Sequence, residues 1–232
     1  MRTILISNLA GGTGKTTTAQ SIAVAAAEYG KSVLAIDADP SAALTFLNGV
    51  ENPRLTAAEY LQGECELNLA LIKTVDRFSL VPSASRLALA EVKDSNRLKN
   101  SWSDFDIVVI DSPTGPHPIT LSLIELADLV IAPVTRSMLS LRGVLNLRDL
   151  VQQSSNRPEI RVLDIELNEW DPELKELLSG DFKFIEPAIR NDVAMVTAQS
   201  GGRSTLSLSP QSNAAADYRE LTYSLLEEIG LF

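Results

Sequence analysis

The sequence predicts an α/β fold in which a mostly parallel central sheet is flanked by helices on both faces. Apolar runs typical of buried strands alternate with helical patterns along all 232 residues. A glycine-rich stretch joins the first strand to the first helix, and no repeat, low-complexity tract or linker interrupts the chain. Alternating strands and helices favour parallel pairing through crossover helices, so we expect a single domain over residues 1–232.

The first strand, predicted at 3–6, leads into the glycine-rich stretch 8–17, here called the phosphate loop, and a helix begins at Lys15. Backbone N–H groups converge in such a loop, and the helix dipole adds positive charge, which makes an anion site. Lys15 would reach the β- and γ-phosphates of a nucleotide, and the Thr16 hydroxyl would coordinate Mg²⁺. The strict phosphate-loop spacing asks for glycine where this chain has Leu9, so the pattern is a deviant one.

The second strand is predicted to deliver carboxylates to the same edge of the sheet. The helix at 15–29 carries alanines on one face, which indicates tight packing, and a buried strand follows at 32–36. This strand ends in Asp37 and Asp39, where open parallel sheets bind ligands. Asp39 precedes Pro40, at which we predict the start of a helix. Asp39 could be an N-cap alone, but beside a phosphate loop a role near Mg²⁺ or the attacking water is favoured.

The next part of the chain shows no obvious chemistry. We predict a short helix at 54–63, short strands at 68–72 and 78–81, and an amphipathic helix at 84–99. The mixed charge of that last helix is typical of a solvated face.

A third strand, within residues 105–111, is predicted to end in a functional carboxylate. Four consecutive apolar residues precede Asp111, which describes a buried strand with an aspartate at its carboxyl end. This is the Walker B arrangement, in which the aspartate holds Mg²⁺, usually through water. The rigid turn 112–116 is a candidate switch loop near the γ-phosphate, although an ordinary connector would have the same composition.

The second half of the chain continues the alternation. We predict further strands at 129–133, 160–166 and 182–185, and further helices at 119–127, 139–153, from 171, 191–199 and 212–230.

Composition excludes several classes of function. No apolar run approaches about 18 residues, so we expect no membrane span and no secretory leader. The single cysteine, Cys65, rules out a disulfide framework or a multi-cysteine cluster within one chain and suits a reducing cytoplasm. Because the single histidine, His117, lies far from Cys65 in the sequence, we expect no zinc site. The net charge of −10 argues against a dominantly basic surface for nucleic acid, but leaves room for a local patch.

Together these motifs resemble the ParA/MinD family of deviant Walker ATPases, which share a P-loop NTPase fold. The resemblance extends over nearly the whole chain, and its C-terminal part is similar to ParA proteins in particular. The segments that carry it are 8–18, 33–40, 105–113, 127–133, 189–191 and 209–221.

The resemblance implies an ATPase with ATP and Mg²⁺ as cofactors. It implies a homodimer that sandwiches two ATP molecules, binds nonspecific DNA when loaded with ATP, and is stimulated by an adaptor of the ParB type. Such a protein would be cytoplasmic and nucleoid-associated, and would segregate or space a plasmid, a chromosome or another cargo.

The resemblance also assigns roles residue by residue. Lys15, Asp39 and Asp111 would be catalytic, and Thr16, Asp39 and Asp111 would serve the metal. The nucleotide would be held by Gly11, Gly12, Thr13, Gly14, Lys15, Thr16 and Thr17, with Ser209 and Pro210 packed on the adenine. The DNA contacts would come from Arg190, Arg219 and, as a weaker candidate, Arg203, although each arginine could equally be an ordinary surface charge.

One position departs from the family pattern. The signature lysine of the family, which reaches the phosphates of the partner subunit, is replaced here by Ala10. A cation supplied in trans accelerates related reactions by orders of magnitude, so hydrolysis is either slow or helped by another cation. Some members of the McdA branch, which positions carboxysomes with an McdB-type adaptor, also lack this lysine. We expect Arg136 or Arg142 to substitute for it.

A phosphate loop of this kind also occurs in proteins with other functions. A MinD-type membrane helix would be basic, but residues 224–232 carry glutamates. Iron–sulfur relatives need a pair of cysteines, and Cys65 is alone. A biosynthetic ligase of the dethiobiotin synthetase kind, or a nucleotide-gated scaffold that binds ATP without turning it over, remains open.

Overall fold

The computed structural model describes residues 1–165 and 172–232. Strands within these ranges are β1 Arg2–Ile6, β2 Val33–Asp37, β3 Ile72–Lys73, β4 Ser79–Val81, β5 Ile107–Asp111, β6 Leu129–Val134, β7 Glu159–Asp164 and β8 Lys183–Phe184. The α-helices are α1 Lys15–Glu28, α2 Ala43–Leu47, α3 Ala57–Leu61, α4 Leu67–Ala70, α5 Ser95–Ser101, α6 Pro118–Leu126, α7 Met138–Gln153, α8 Pro172–Asp181, α9 Val193–Gly201, α10 Thr205–Leu208 and α11 Asn213–Glu228.

Within the described ranges the strands form one eight-stranded sheet in the order β3-β4-β2-β5-β1-β6-β7-β8. Every neighbouring pair is parallel except β3 and β4 at one edge, which are antiparallel. The strand order places β5 between β1 and β2, so the carboxyl ends of these three strands lie side by side. The predicted mostly parallel α/β fold is therefore confirmed.

Alternation along the central strands builds a separate core on each face of the sheet. In β1, Leu5 belongs to the core on one face, while Ile4 and Ile6 belong to the core on the other. Helices α6 and α7 cover the first face, and α1 and α11 cover the second. The alanines of α1 explain its position, because small side chains allow a helix to be buried between the sheet and α11.

Several predicted elements differ from the structure. The helix predicted to begin at Pro40 begins at Ala43, because the Asp39 side chain and carbonyl close a turn over Pro40. The strand predicted at 68–72 is mostly helix α4, whose Leu67 and Ala70 are buried one turn apart.

The helix predicted at 84–99 is divided into a 3₁₀ turn, Ser85–Leu89, and helix α5. Asp94 causes the division, because its side chain accepts a hydrogen bond from Arg97 N (2.9 Å) and so caps a new helix inside the predicted one. The predicted helix 54–63 is shorter than expected and ends at Leu61, before Gly63 in the left-handed region. The short helix α10 was not predicted, and position 171, the predicted start of α8, lies outside the described residues.

No helix in the described ranges combines the length and apolarity needed to cross a bilayer.

Candidate functional site

The carboxyl ends of β1, β2 and β5 bring the predicted acidic residues together. Asp111 at the end of β5 is in register with Ile6 of β1 on one side and with Asp37 of β2 on the other. The phosphate loop leaves β1 at this same edge. The prediction that these strand ends meet is therefore confirmed by the register of the sheet.

Two glycines and one asparagine shape the phosphate loop. Gly12 and Gly14 have φ values of 69° and 87°, in the left-handed region that favours glycine, and Gly14 immediately precedes α1. The Asn8 side chain accepts a hydrogen bond from Ala10 N (2.9 Å) and donates one to Pro133 O (2.8 Å). Asn8 thereby ties the loop to the end of β6.

Lys15 lies along the phosphate loop, with only 6% of its surface exposed. Its Nζ donates a hydrogen bond to Ala10 O (2.8 Å). Burial lowers the pKa of Lys15, while the negative charges of Asp111 and Asp39 act in the opposite direction. An ammonium held in a partly desolvated loop is suited to bind a phosphate, which would supply the charge that burial leaves uncompensated.

Asp111 is a buried acid whose surroundings do not balance its charge. Its side chain is fully buried, and within the described residues neither carboxylate oxygen accepts a hydrogen bond of good geometry. Burial, followed by the charge of Asp37, raises the pKa of Asp111 well above its usual range, while the Thr16 hydroxyl and Lys15 act to lower it. A buried carboxylate whose oxygens accept no well-formed hydrogen bond is costly unless a cation or its water completes its shell. The residues present therefore fit the predicted Mg²⁺.

Asp37 and Asp39 lie in different environments although one residue separates them. Asp37 is fully buried and accepts hydrogen bonds from Thr45 N (2.8 Å), Thr45 Oγ1 (2.7 Å) and Asp39 N (3.1 Å). Burial raises the pKa of Asp37 to about 6, although these hydrogen bonds oppose the shift. Asp39 is half-buried, and its carboxylate accepts from Ser41 N (2.8 Å). Of the two, Asp39 is the one that reaches the open cleft.

A cleft of about 360 Å³ lies over the phosphate loop. It is lined by Gly12, Thr13, Gly14, Lys15, Thr16, Thr17, Asp39, Ser41, Ala43, Phe46, Leu47 and Thr114. The structure thus brings the predicted loop residues 12–17, Asp39 and Thr114 of the predicted switch loop to one place, whereas Gly11 lines a neighbouring groove. Ser209 and Pro210, predicted to pack on adenine, follow α10 and are not among the residues that line this cleft. Their nucleotide role stays a prediction.

A second cavity of about 560 Å³, here called the Ala10 groove, lies between the phosphate loop and α7. Arg142 lines this groove together with Ala10, Gly11 and Leu139, whereas Arg136 does not. Of the two arginines predicted to substitute for the signature lysine, Arg142 is therefore the one placed beside the position that lacks it.

The three predicted DNA-contacting arginines differ in their surroundings. Arg190 forms an ion pair with the buried Asp217 (2.6 Å), and Arg219 pairs with Glu28 (2.6 Å). Arg203 is exposed on the segment after α9. The structure thus gives Arg190 and Arg219 partners within the chain, and their contact with DNA stays a prediction.

Gly143, inside α7, is a structural determinant of the site that the sequence interpretation missed. A Cβ atom at this position would lie 2.1 Å from Asn8 Oδ1 and 2.6 Å from Ala10 N, so only glycine lets α7 pack against the phosphate loop. Its signal in the sequence was a glycine in the interior of a helical pattern, which usually marks close packing.

Comparisons with known sequences agree with this geometry. A family model described as an AAA domain matches residues 1–165. A ParA family protein of Chlamydia muridarum is 30% identical over an alignment of 250 residues, gaps included, which covers 97% of this chain and 98% of the relative. The chromosome-partitioning ATPase Soj of Thermus thermophilus is 29% identical over 248 residues, covering 99% of this chain and 97% of Soj.

Solved structures with the same fold include apo McdA of Cyanothece, with a TM-score of 0.83 and 25% identity over 97% of this chain and 99% of McdA. Cobyrinic acid a,c-diamide synthase of Mycobacterium smegmatis, with bound ADP and magnesium, has a TM-score of 0.81 and 26% identity over 99% of this chain and 95% of the synthase. The phosphate loop, the carboxylates at neighbouring strand ends and the relatives that match along nearly their whole length lead to the same conclusion. The chain belongs to the ParA/MinD family of P-loop ATPases.

Proposed function

We propose that residues 1–232 form one ATPase domain that positions or partitions a cellular cargo, with ATP and Mg²⁺ as its cofactors. The observation that carries the proposal is the convergence of Lys15, Asp39 and Asp111 around a phosphate loop at one edge of the sheet. The similarity to Soj and McdA supports the cellular role.

The chain's own groups would divide the chemistry between them. The N–H groups of the phosphate loop and the Lys15 ammonium would bind and orient the phosphates. Thr16 and Asp111 would hold the metal, which, when bound, neutralises charge that develops on the transferring phosphate. Asp39, at the wall of the cleft, would position or activate the attacking water, and the cleft would hold it in line with the phosphate.

Two variants separate binding from hydrolysis. We expect Lys15→Ala to lose ATP affinity, and Asp39→Ala to bind ATP but to hydrolyse it at least about a hundredfold more slowly. Titration with a fluorescent ATP analogue and a phosphate-release assay give the two quantities, with Lys93→Ala, an exposed lysine outside the site, as the matched control. Full hydrolysis by the Asp39 variant would overturn the assignment of Asp39.

Dimerisation would complete the site across the Ala10 groove. Arg142 would supply the cation that Ala10 cannot, reaching the phosphates bound by a second copy. We expect Arg142→Ala to lower ATPase activity and ATP-dependent dimerisation, measured by light scattering, more than Arg136→Ala does. If both variants keep full activity and dimerise normally, neither arginine is the trans cation.

DNA binding and adaptor stimulation complete the proposed cycle. The dimer would bind nonspecific DNA, which would make the protein nucleoid-associated in the cytoplasm, and a ParB-like or McdB-like adaptor would stimulate hydrolysis and release. We expect DNA affinity to require ATP and to fall steeply with salt, because the contacts would be to phosphates. Equal affinity with ADP and ATP would contradict this cycle.

Arginine variants can test where DNA binds. Arg203→Ala is the informative variant, because Arg190 and Arg219 also hold ion pairs within the chain. A loss of DNA affinity in Arg203→Ala with an unchanged Tm would assign the contact, and unchanged affinity would exclude Arg203.

A biosynthetic role is the second candidate, favoured by the likeness to a synthase with bound ADP and magnesium. Such an enzyme would turn over ATP only with a small-molecule substrate, whereas a partition ATPase would respond to DNA and its adaptor. Comparing ATP turnover by the purified chain with and without DNA distinguishes the two.

A further inference from the structure

A ring of buried hydrogen bonds encloses the backbone of Asp39. Asp37 Oδ1 accepts from Asp39 N (3.1 Å), and Asp37 Oδ2 accepts from Thr45 Oγ1 (2.7 Å). Thr45 Oγ1 in turn accepts from Ser83 N (2.7 Å), and Ser83 Oγ donates to Asp39 O (2.7 Å). The ring therefore starts at one peptide group of Asp39 and ends at the next.

The three supporting residues are shielded from water. Asp37, Thr45 and Ser83 are 0%, 2% and 1% exposed, so the hydrogen bonds among these three residues are made without competition from solvent, while the two bonds to the Asp39 backbone are partly buried. Asp39 O also accepts from Ala42 N (2.9 Å), the bond that closes the turn after β2, and Ser83 adds the second donor to the same oxygen. Both lone pairs of this carbonyl are thereby used.

Ser83 reaches Asp39 from a different strand. It lies just after β4, the strand that pairs with β2 toward the edge of the sheet, and the preceding carbonyl, Pro82 O, accepts a hydrogen bond from Ala57 N (2.7 Å) at the start of α3. The backbone of Asp39 is thus fixed by a part of the fold that does not line the nucleotide cleft. Without the Ser83 hydroxyl, the local turn would remain, but the direct hydrogen bond from the segment after β4 to Asp39 O would be lost.

From this geometry we infer that Ser83, through the direct bond of its hydroxyl and through Thr45 and Asp37, is a positioning residue for Asp39. The inference rests on the proposed ATPase activity, in which Asp39 orients the attacking water. Ser83 touches neither nucleotide nor water; it sets the place of the Asp39 backbone and so the direction of its carboxylate. An error of about 1 Å in such a group can reduce a rate about a hundredfold without affecting substrate binding.

The test compares kcat with KM in matched variants. Ser83→Ala and Thr45→Val each remove one hydroxyl of the ring, and we expect kcat to fall about tenfold, the equivalent of roughly one lost hydrogen bond, with KM for ATP unchanged. Thr45→Ser keeps the hydroxyl and should restore most of the rate. Ser85→Ala, an exposed serine two residues from Ser83, is the control and should match the wild type.

Two further measurements separate positioning from a merely structural role. Adding Ser83→Ala to an Asp39→Ala background should reduce kcat no further, because the residue through which Ser83 acts is already lost. In the nucleotide-free protein, amide hydrogen exchange over residues 39–43 should become faster in Ser83→Ala and stay unchanged in Ser85→Ala.

Three results would overturn the inference. The first is an unchanged kcat in Ser83→Ala, and the second is a joint change in KM and Tm in Thr45→Val that Thr45→Ser does not reverse. The third is an additive loss of kcat in the double variant. If the wild type turns over no ATP, the proposed function fails instead, and the exchange measurement still decides whether Ser83 fixes the Asp39 backbone.

Discussion

Replacing Gly143 by alanine tests whether α7 must lie against the phosphate loop. The added Cβ would meet Asn8 Oδ1 at 2.1 Å and Ala10 N at 2.6 Å, both in a loop that is hydrogen-bonded to β6 and cannot easily retreat. Overpacking of this kind costs about 1–3 kcal/mol, of which the better helix propensity of alanine returns about 1 kcal/mol. We therefore expect the free energy of unfolding to fall by up to about 2 kcal/mol, which lowers Tm by up to roughly 8 °C in a chain of this size.

The same substitution should weaken ATP binding, because the loop backbone must move to accept the methyl group. Gly180→Ala in α8 is the matched control, since no atom lies within 4 Å of its added Cβ, and it should leave ATP affinity unchanged and raise stability slightly. Thermal unfolding and titration with a fluorescent ATP analogue measure both effects. If Gly143→Ala is as stable as Gly180→Ala and binds ATP like the wild type, the close packing of α7 on the loop is refuted.

Three further predictions concern charge. Burial would raise the pKa of Glu59, but hydrogen bonds from Arg86 and Thr56 lower it to about 2 from 4.5. The stability that these hydrogen bonds contribute is therefore present above about pH 4.5 and is lost toward pH 2. Chemical denaturation should show Glu59→Gln to be about 1–2 kcal/mol less stable at pH 7, with the difference vanishing near pH 2; a constant difference would contradict this origin. Asp111→Asn should raise the Mg²⁺ concentration for half-maximal ATPase activity at least about tenfold, and an unchanged Mg²⁺ dependence would exclude Asp111 from the metal site. Arg190→Ala should lower Tm, because it leaves the buried carboxylate of Asp217 without its guanidinium; an unaltered Tm would show that the pair is not structural.

The nucleotide site could be predicted because its signals are local. The strand ending at Asp111 and the glycine spacing before Lys15 each predict one element, and the rule that parallel strands present their carboxyl ends at one edge brings them together. The register of Asp37 with Asp111 follows once β5 lies between β1 and β2, an order that periodicity alone does not specify.

The predictions that failed concern short stretches whose residues are compatible with more than one secondary structure, so that tertiary packing decides between them. The short apolar run at 68–72 is compatible with a strand as well as with a helical turn. The turn forms because it buries Leu67 and Ala70 on the same side. Ser83 could not have been assigned at all, because its partner Asp39 is 44 residues away and nothing in the stretch after β4 marks a hydroxyl aimed at a carbonyl.

The central place of β1 has a consequence for synthesis of the protein. This strand comes before both of its neighbours along the chain, since Ile4 pairs with Val109 on one side and with Leu129 on the other, and Asn8 reaches Pro133. Until β5 and β6 have left the ribosome, β1 has neither neighbour and the phosphate loop has no anchor. A nascent chain therefore becomes able to hold a nucleotide only after Pro133 has been translated.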